Sequence, residues 1–128
     1  MKKTRILFVE DDLDYRYLIE RELEKEKDFE LCAACSDGET AVQAALLHQP
    51  DIVLMDVIMP RLDGISVMEK IKNNTQMKNH PSFIMVTAAS SQDVTEDAFR
   101  LGANYYIMKP FNRDIILDKI HRVCRGRI

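Results

Sequence analysis

The feature that most constrains the fold is the alternation of short apolar runs with amphipathic patterns along the whole 128-residue chain. Five runs, each four or five residues long, are apolar almost throughout. Such runs are typical of strands that are covered on both faces of a sheet. They lie at residues 6–9, 31–35, 52–55, 83–86 and 105–108.

The segments between these runs have helical periodicity. Residues 13–26, 39–48, 65–73 and 94–101 carry apolar side chains three and four positions apart, and residues 115–123 end the chain in the same way. This spacing predicts amphipathic helices. Five consecutive strand–helix units predict an α/β domain with a doubly wound, five-stranded parallel sheet and helices on both faces.

Composition excludes several classes of protein. A formal net charge of −3 and a pI near 5.6 argue against direct nucleic-acid binding, which depends on Lys and Arg neutralising phosphates. The apolar stretch behind the charged amino terminus is too short for a signal peptide, and no run has membrane length. We expect one cytoplasmic domain over residues 1–128. Residues 122–128 are interpreted either as a frayed helix end or as the start of a linker to an effector domain.

The cysteines and histidines suggest no redox or zinc chemistry. Three cysteines, an odd number, fit a reducing compartment. Cys32 and Cys35 form a CxxC pattern, but in a strand an offset of three predicts opposite faces and Cα atoms roughly 10 Å apart. His48, His80 and His121 lack metal-ligand spacing, so we assign them no role.

Polar groups follow four of the five predicted strands. The carboxyl ends of parallel strands border the ligand crevice of such a sheet, so these groups should meet. Carboxylates brought together repel one another unless a cation lies between them, and hard oxygen ligands favour Mg²⁺, or Mn²⁺ in its place. The groups are Glu10, Asp11 and Asp12 after strand one, Asp56 after strand three, Thr87 after strand four and Lys109 after strand five.

Three other kinds of site use acidic residues or occur in a similar fold, and the sequence bears on each of them. A flavodoxin-like mononucleotide site needs a Ser/Thr/Gly-rich loop after strand one, where acids would repel the phosphate. An EF-hand fails because Asp12-x-Asp14 is followed by Arg16, with neither the glycine nor the distal glutamate in place. A Mg²⁺-dependent phosphatase of the haloacid dehalogenase type stays open as an alternative, although Arg16 stands where its motif has Thr or Val.

Four motifs in order resemble a response-regulator receiver domain of the CheY-like superfamily, over nearly the whole chain. They are Glu10-Asp11, "DIVLMDVIMPRLDG", "VTAA" and "YYIMKPF". The resemblance implies strand order 2-1-3-4-5. Within the family, "VIMPRLDG" and "QDVTEDAFRLGANYYIMKPF" are most similar to the receiver of the sporulation master regulator of endospore-forming bacteria.

The resemblance implies a phosphorylation site. Asp56 would accept a phosphoryl group from a sensor histidine kinase or a histidine phosphotransfer protein. Asp11, Asp56 and the backbone carbonyl of Ile58 would bind Mg²⁺ directly, and Glu10 would reach it through water. Asp12 lies one position beyond the acidic pair and is left as a helix N-cap.

The resemblance also implies a switch. Lys109 and Thr87 would bind the phosphoryl oxygens, and movement of Thr87 would let Tyr106 rotate inward. The output surface would then comprise the fourth predicted helix, the fifth strand and the final helix. The Lys109-Pro110 peptide bond is expected to be cis. An alternative is a receiver that acts without phosphorylation, as a protein-binding module only.

Partners and the lifetime of the signal are further expectations. The output partner would be an effector domain or a second receiver, and phosphorylation could promote a homodimer through charges on the output surface. In the family that the chain resembles, the positions two after the phosphoacceptor and two after the switch threonine flank the path of the attacking water. Here they are Ile58 and Ala89, which cannot orient a water molecule, so we expect slow self-dephosphorylation. Apart from this reaction and self-phosphorylation, we expect no enzymatic activity. The dimer charges are those of Asp97, Arg100, Asp118, Lys119 and Arg122.

Overall fold

A computed structural model describes residues 3–57, 63–88, 96, 100, 102–109 and 112–126. Most of the helix predicted at residues 94–101 lies outside these ranges, although Glu96 and Arg100 are helical. The elements in chain order are β1 (Thr4–Val9), α1 (Leu13–Glu24), β2 (Phe29–Cys35), α2 (Gly38–His48), β3 (Ile52–Asp56), α3 (Gly64–Lys72), β4 (Ser82–Ala88), β5 (Tyr105–Lys109) and the C-terminal helix α4 (Arg113–Gly126).

The five strands form one parallel sheet in the order β2-β1-β3-β4-β5. This order confirms the predicted doubly wound fold. The chain leaves β1 toward β2 on one side and returns with β3 on the other, so strand order reverses between β1 and β3. Residues that follow these two strands therefore border the crevice in which such folds bind ligands.

A hydrophobic core covers each face of the sheet. On one face Leu7, Val53 and Phe83 belong to a buried cluster with residues of α2 and α3. On the other, Phe8 and Leu54 belong to a cluster with residues of α1 and α4. The side chains of β1 from residue 6, of β3 and of β4 up to residue 86 are buried, whereas β2 and β5 are partly exposed. Coverage on both faces, predicted for all five strands, is therefore wrong for the two edge strands.

Strand β2 corrects the prediction for its cysteines. Leu31 pairs with Ile6 and Ala33 pairs with Leu7, which leaves Cys32 as the extra residue of a β-bulge. The bulge shifts the alternation of side chains by one residue, so Cys32 and Cys35 both contact the same core cluster instead of lying on opposite faces. Both are free thiols, and burial raises the pKa of each, which disfavours a reactive thiolate.

Aspartates begin the first three helices. Asp12, Asp37 and Asp63 are N-caps whose carboxylates accept backbone N–H bonds from the first turns of α1, α2 and α3. Gln49 is the C-cap of α2, and its φ of 49° is in the left-handed region although it is not a glycine. Among the described helices, none combines the length and hydrophobicity that crossing a bilayer requires.

Candidate functional site

The ends of β1, β3 and β5 bring charged side chains from three distant parts of the chain together. Glu10 follows β1 and stays aligned with the sheet because its N–H donates to the Cys35 carbonyl, at 2.9 Å. Asp56 is the last residue of β3, and Lys109 is the last residue of β5. Parallel strands in this order therefore converge on one cluster at the carboxyl edge of the sheet.

Three carboxylates form the acidic part of this cluster. Glu10, Asp11 and Asp56 each offer one oxygen, and these oxygens all lie within 4.8 Å of one another. Glu10 is fully buried and Asp56 is 8% exposed, whereas Asp11 is exposed to solvent. Such proximity is unfavourable for ionised carboxylates unless positive charge compensates them.

Lys109 supplies one positive charge to the cluster. Its Nζ lies 2.9 Å from Oδ2 of Asp56, to which it donates a hydrogen bond, and 3.0 Å from Oε1 of Glu10. Burial lowers the pKa of Lys109, but its contacts with Asp56 and Glu10 outweigh that effect and raise the pKa above its ordinary value. Lys109 is therefore charged at neutral pH.

Glu10 shows that this compensation is incomplete. Burial raises its pKa to about 7; Asp56 adds to the increase, and Lys109 opposes it. Oε2 accepts a backbone bond from Asp12 at 3.3 Å, but the approach of Lys109 to Oε1 lacks hydrogen-bond geometry, so Oε1 is buried without a hydrogen bond. Three carboxylates and one ammonium leave two negative charges uncompensated when all are ionised. These residues fit a hard divalent cation such as Mg²⁺.

Comparison with known protein families identifies the chain. The family model described as the response regulator receiver domain matches residues 6–121. The chain belongs to the response-regulator receiver family. Members of this family are signalling domains of two-component systems, in which an aspartate accepts a phosphoryl group and an acidic pocket binds Mg²⁺.

Solved receiver structures share this fold over their full length. The signal receiver domain of NarL from Mycobacterium tuberculosis is 21% identical with a TM-score of 0.88, and the match covers 98% of this chain and 99% of that one. The receiver domain of AraT from Geobacillus stearothermophilus is 25% identical with a TM-score of 0.86, over 98% and 95% of the two chains. The chemotaxis response regulator CheY4 of Vibrio cholerae is 24% identical with a TM-score of 0.83, over 95% and 99%.

Gly64 fixes the backbone beneath the receiver's acidic cluster. Its N–H donates to the Val57 carbonyl at 2.6 Å, which brings the start of α3 against the end of β3. A Cβ at position 64 would lie 2.5 Å from the Asp56 carbonyl oxygen and 2.9 Å from Cα of Val57. Because both of these are backbone atoms, the approach requires glycine.

The structure separates the roles of the two adjacent aspartates after Glu10. Asp11 contributes to the acidic cluster. Oδ1 of Asp12 accepts hydrogen bonds from the backbone N–H groups of Asp14 and Tyr15, at 3.1 and 3.2 Å. The prediction that Asp12 is a helix N-cap is confirmed.

Several predicted receiver residues lie outside the described part of the chain. These are Ile58, Ala89, Pro110 and Asp97, so the carbonyl ligand, the slow dephosphorylation, the cis peptide and the dimer face stay predictions. Only the backbone of Thr87 is described; it lies in β4, paired with Met108. Tyr106 is described and is 40% exposed on β5. The similarity to sporulation regulators also stays a prediction.

Sequence patterns missed one neighbour of the site. The Lys109 ammonium lies over the ring of Tyr15, 5.1 Å from its centroid. Tyr15 is half-buried on α1 and packs against the core between the sheet, α1 and α4. Helical periodicity assigns it to the core side of α1 but gives no signal that a lysine more than ninety residues later would reach it.

Proposed function

We propose that this receiver is a phosphorylation-dependent switch in which Asp56 is the phosphoacceptor. The observation that carries the proposal is the position of the Asp56 carboxylate. Asp56 is the last residue of β3, at the crevice, and a small part of it is exposed. Its carboxylate lies beside those of Glu10 and Asp11 and beside the ammonium of Lys109. A carboxylate so placed can be reached by a phosphodonor and can act as a nucleophile.

In the proposed step, an Asp56 carboxylate oxygen forms a bond to phosphorus while the bond between phosphorus and the donor nitrogen of a phosphohistidine breaks. The electron pair of that bond leaves with the imidazole nitrogen, and the product is an acyl phosphate on Asp56. Asp11 and Asp56 would hold Mg²⁺ directly and Glu10 would hold it through a water molecule; the bound ion would supply positive charge against the phosphoryl oxygens. The Ile58 carbonyl is the further ligand that the family resemblance implies.

Lys109 is assigned to the phosphoryl group itself. Its ammonium already lies within 3.0 Å of Glu10 and Asp56, so an added phosphoryl group on Asp56 would lie within its reach. A charge-assisted bond from Lys109 would hold the phosphorylated state. By family resemblance, the Thr87 hydroxyl makes a second bond, and Tyr106 follows it from its present half-exposed position.

The exposed face of α1 supports docking of a sensor histidine kinase or a histidine phosphotransfer protein. Leu13, Tyr17 and Leu18 are 62%, 61% and 56% exposed, and α1 begins two residues after Asp11. Large apolar side chains concentrated beside a reactive group are typical of a protein contact. A donor bound there would lie next to the acidic cluster.

Strand β5, at one edge of the sheet, and helix α4 form a surface that supports the output role. An open groove of about 320 Å³ lies along β5 and α4. Tyr106, Met108 and Ile115 are each at least 40% exposed there. We assign this surface to an effector domain or a second receiver, whose affinity would change when Tyr106 moves. The groove is lined by Tyr105, Tyr106, Ile107, Met108, Ile115 and Lys119.

The test is intact-protein mass spectrometry after incubation with Mg²⁺ and acetyl phosphate. The parent protein should gain one phosphoryl adduct. Asp56→Asn should gain none, because the asparagine side chain has nearly the shape of aspartate but its amide is a poor nucleophile. Asp12→Asn is the matched control, since asparagine keeps the N-cap and leaves the acidic cluster intact. It should gain the adduct at the parental rate.

Other outcomes would replace the proposal. An unmodified parent protein that still binds an effector would indicate a binding module that works without phosphorylation. Continuous hydrolysis of an added phosphoester, dependent on Mg²⁺, would indicate the phosphatase alternative. An adduct that persists in Asp56→Asn would show that another residue is the phosphoacceptor.

A further inference from the structure

The ammonium of Lys109 has a third neighbour that is neither an acid nor part of a receiver motif. Besides the carboxylates of Asp56 and Glu10, it lies over the face of the Tyr15 ring, with 5.1 Å between Nζ and the ring centroid. This distance is within the range of a cation–π contact. The contact joins the end of β5 to the first turn of α1.

Packing and hydrogen bonding fix the Tyr15 ring relative to the acidic cluster. Tyr15 packs against the core formed by α1, α4 and one face of the sheet. Its backbone N–H donates to Oδ1 of Asp12, which immediately follows Asp11. The ring is therefore held on the same turn of backbone that carries the acids.

Lys109 needs such a support because its carboxylate partners have a second function. Its side chain is long, and 25% of it is exposed, so movement of the ammonium into water has to be opposed. Carboxylates that bind a divalent cation have less negative charge left for an ammonium group. An aromatic face is not a ligand for Mg²⁺, so its attraction for Lys109 does not compete with the metal.

We propose that Tyr15 is a positioning residue for phosphoryl transfer, whose ring face holds the Lys109 ammonium at the site while the carboxylates engage the cation. This inference rests on the proposed roles of Asp56 and Lys109. In this role Tyr15, a residue of α1, affects phosphoryl transfer through Lys109 and does not contact the phosphoryl group.

Three variants separate the ring from the rest of the side chain. Tyr15→Phe keeps the aromatic face, whereas Tyr15→Leu and Tyr15→Met keep apolar bulk without it. Arg21→Leu is the matched control, because it removes an exposed cation–π contact of the same helix, in which the Arg21 guanidinium lies 5.8 Å from the centroid of the Tyr17 ring. Thermal unfolding of each variant verifies that it is folded.

The first readout is the NMR signal of the Lys109 ε-methylene group in lysine-labelled protein, assigned by its absence from Lys109→Arg. The ring should shift this signal upfield in the parent and in Tyr15→Phe, and the shift should disappear in Tyr15→Leu and Tyr15→Met. The measurement needs neither metal nor phosphate. A signal at the same position with and without the ring would overturn the proposal.

The second readout is the rate of phosphorylation by acetyl phosphate. Loss of the ring should slow it about three- to tenfold, the range that corresponds to a partly desolvated cation–π contact. Tyr15→Phe and Arg21→Leu should react at the parental rate, and Tyr15→Leu should cause no further loss in a Lys109→Gln background.

The outcomes distinguish this inference from the proposed function. A parent protein that gains no adduct, or an adduct that survives Asp56→Asn, refutes the proposed function. If parent and Asp56→Asn behave as expected but Tyr15→Leu reacts at the parental rate, only the role of Tyr15 is refuted. Tyr15→Phe reacting as slowly as Tyr15→Leu would refute it too, because the hydroxyl would then be the important group.

Discussion

The two ends of the sheet differ in how their polar side chains are paired. At the amino end, Oε1 of Gln49 accepts the N–H groups of Lys78 and Asn79, at 2.8 and 3.0 Å. The Asn79 side chain donates to the Pro50 carbonyl and to Oδ1 of Asp51, both at 2.9 Å, and Oδ2 of Asp51 accepts the N–H of Arg5. Every contact in this network joins a donor to an acceptor.

The carboxyl end has the opposite character. Glu10, Asp11 and Asp56 face one ammonium, and Oε1 of Glu10 is buried without a hydrogen bond. A fully paired polar network stabilises a fold, whereas an incompletely compensated cluster reduces stability and keeps capacity to bind a ligand. The polar residues at the amino end of the sheet should therefore contribute mainly to the free energy of unfolding, and those at the carboxyl end mainly to Mg²⁺ binding. Substitutions at the two ends should change these two quantities separately.

The largest expected effect is on metal binding. Asp11→Ala should weaken Mg²⁺ binding by about 100-fold, since even residues behind the direct ligands of a metal contribute about 10- to 100-fold. Its effect on the free energy of unfolding should be small because Asp11 is exposed. Isothermal titration calorimetry and urea denaturation measure the two quantities.

Asp12→Ala is the neighbouring control and should show the reverse pattern. It should lower the free energy of unfolding by about 1 kcal/mol through loss of the N-cap and leave Mg²⁺ affinity nearly unchanged. Equal losses of affinity in the two variants would show that the acidic pair has been misplaced by one residue.

The second prediction concerns the amino end. Asn79→Ala should lower the free energy of unfolding by about 2 kcal/mol, because it removes the hydrogen bonds that the Asn79 side chain donates to Oδ1 of Asp51 and to the Pro50 carbonyl. Mg²⁺ affinity and phosphorylation by acetyl phosphate should not change. Gln76→Ala is the control, since only its backbone carbonyl joins the network and its side chain is exposed. Weakened Mg²⁺ binding in Asn79→Ala would contradict the division between the two ends.

The smallest predicted effect is a pH dependence at the carboxyl end. Below its pKa of about 7, Glu10 holds a proton and lacks the negative charge that would stabilise Mg²⁺ through the intervening water. Affinity should therefore rise about tenfold as pH increases from about 6 to about 8, and then level off. Titrations at several pH values measure this increase, and the increase should be absent from Glu10→Gln.

The same shift has a definite sign for stability. Between the ordinary pKa of 4.5 and the folded value of about 7, the unfolded chain releases the Glu10 proton and the folded protein keeps it. The contribution of Glu10 to the free energy of unfolding therefore falls as pH rises through this range. Without metal and above pH 7, Glu10→Gln should be more stable than the parent by about 1–3 kcal/mol. A less stable variant would mean that Lys109 fully compensates Glu10.

Local patterns predicted the elements well because each element satisfies its own periodicity. The three buried central strands and the helices of residues 13–24, 38–48 and 64–72 lie within a few residues of their predicted positions. The faces of β2 were wrong, because a bulge at Cys32 depends on pairing with β1 and leaves no periodic trace. Gln49 was missed as a left-handed helix end, since its conformation is supported by contacts with a loop almost thirty residues away.

The sequence by itself determined which residues stand at the strand ends. The spacing of Glu10, Asp11 and Asp12 after an apolar run, and of Asp56 and Lys109 after two others, follows from the chain alone. Only the tertiary structure decided how they pair: Lys109 on Glu10 and Asp56 together, Oε1 of Glu10 buried without a hydrogen bond, and Tyr15 under the ammonium. The physical reason is that burial and charge compensation depend on atoms contributed by several elements, whose neighbours are set by strand order and helix packing.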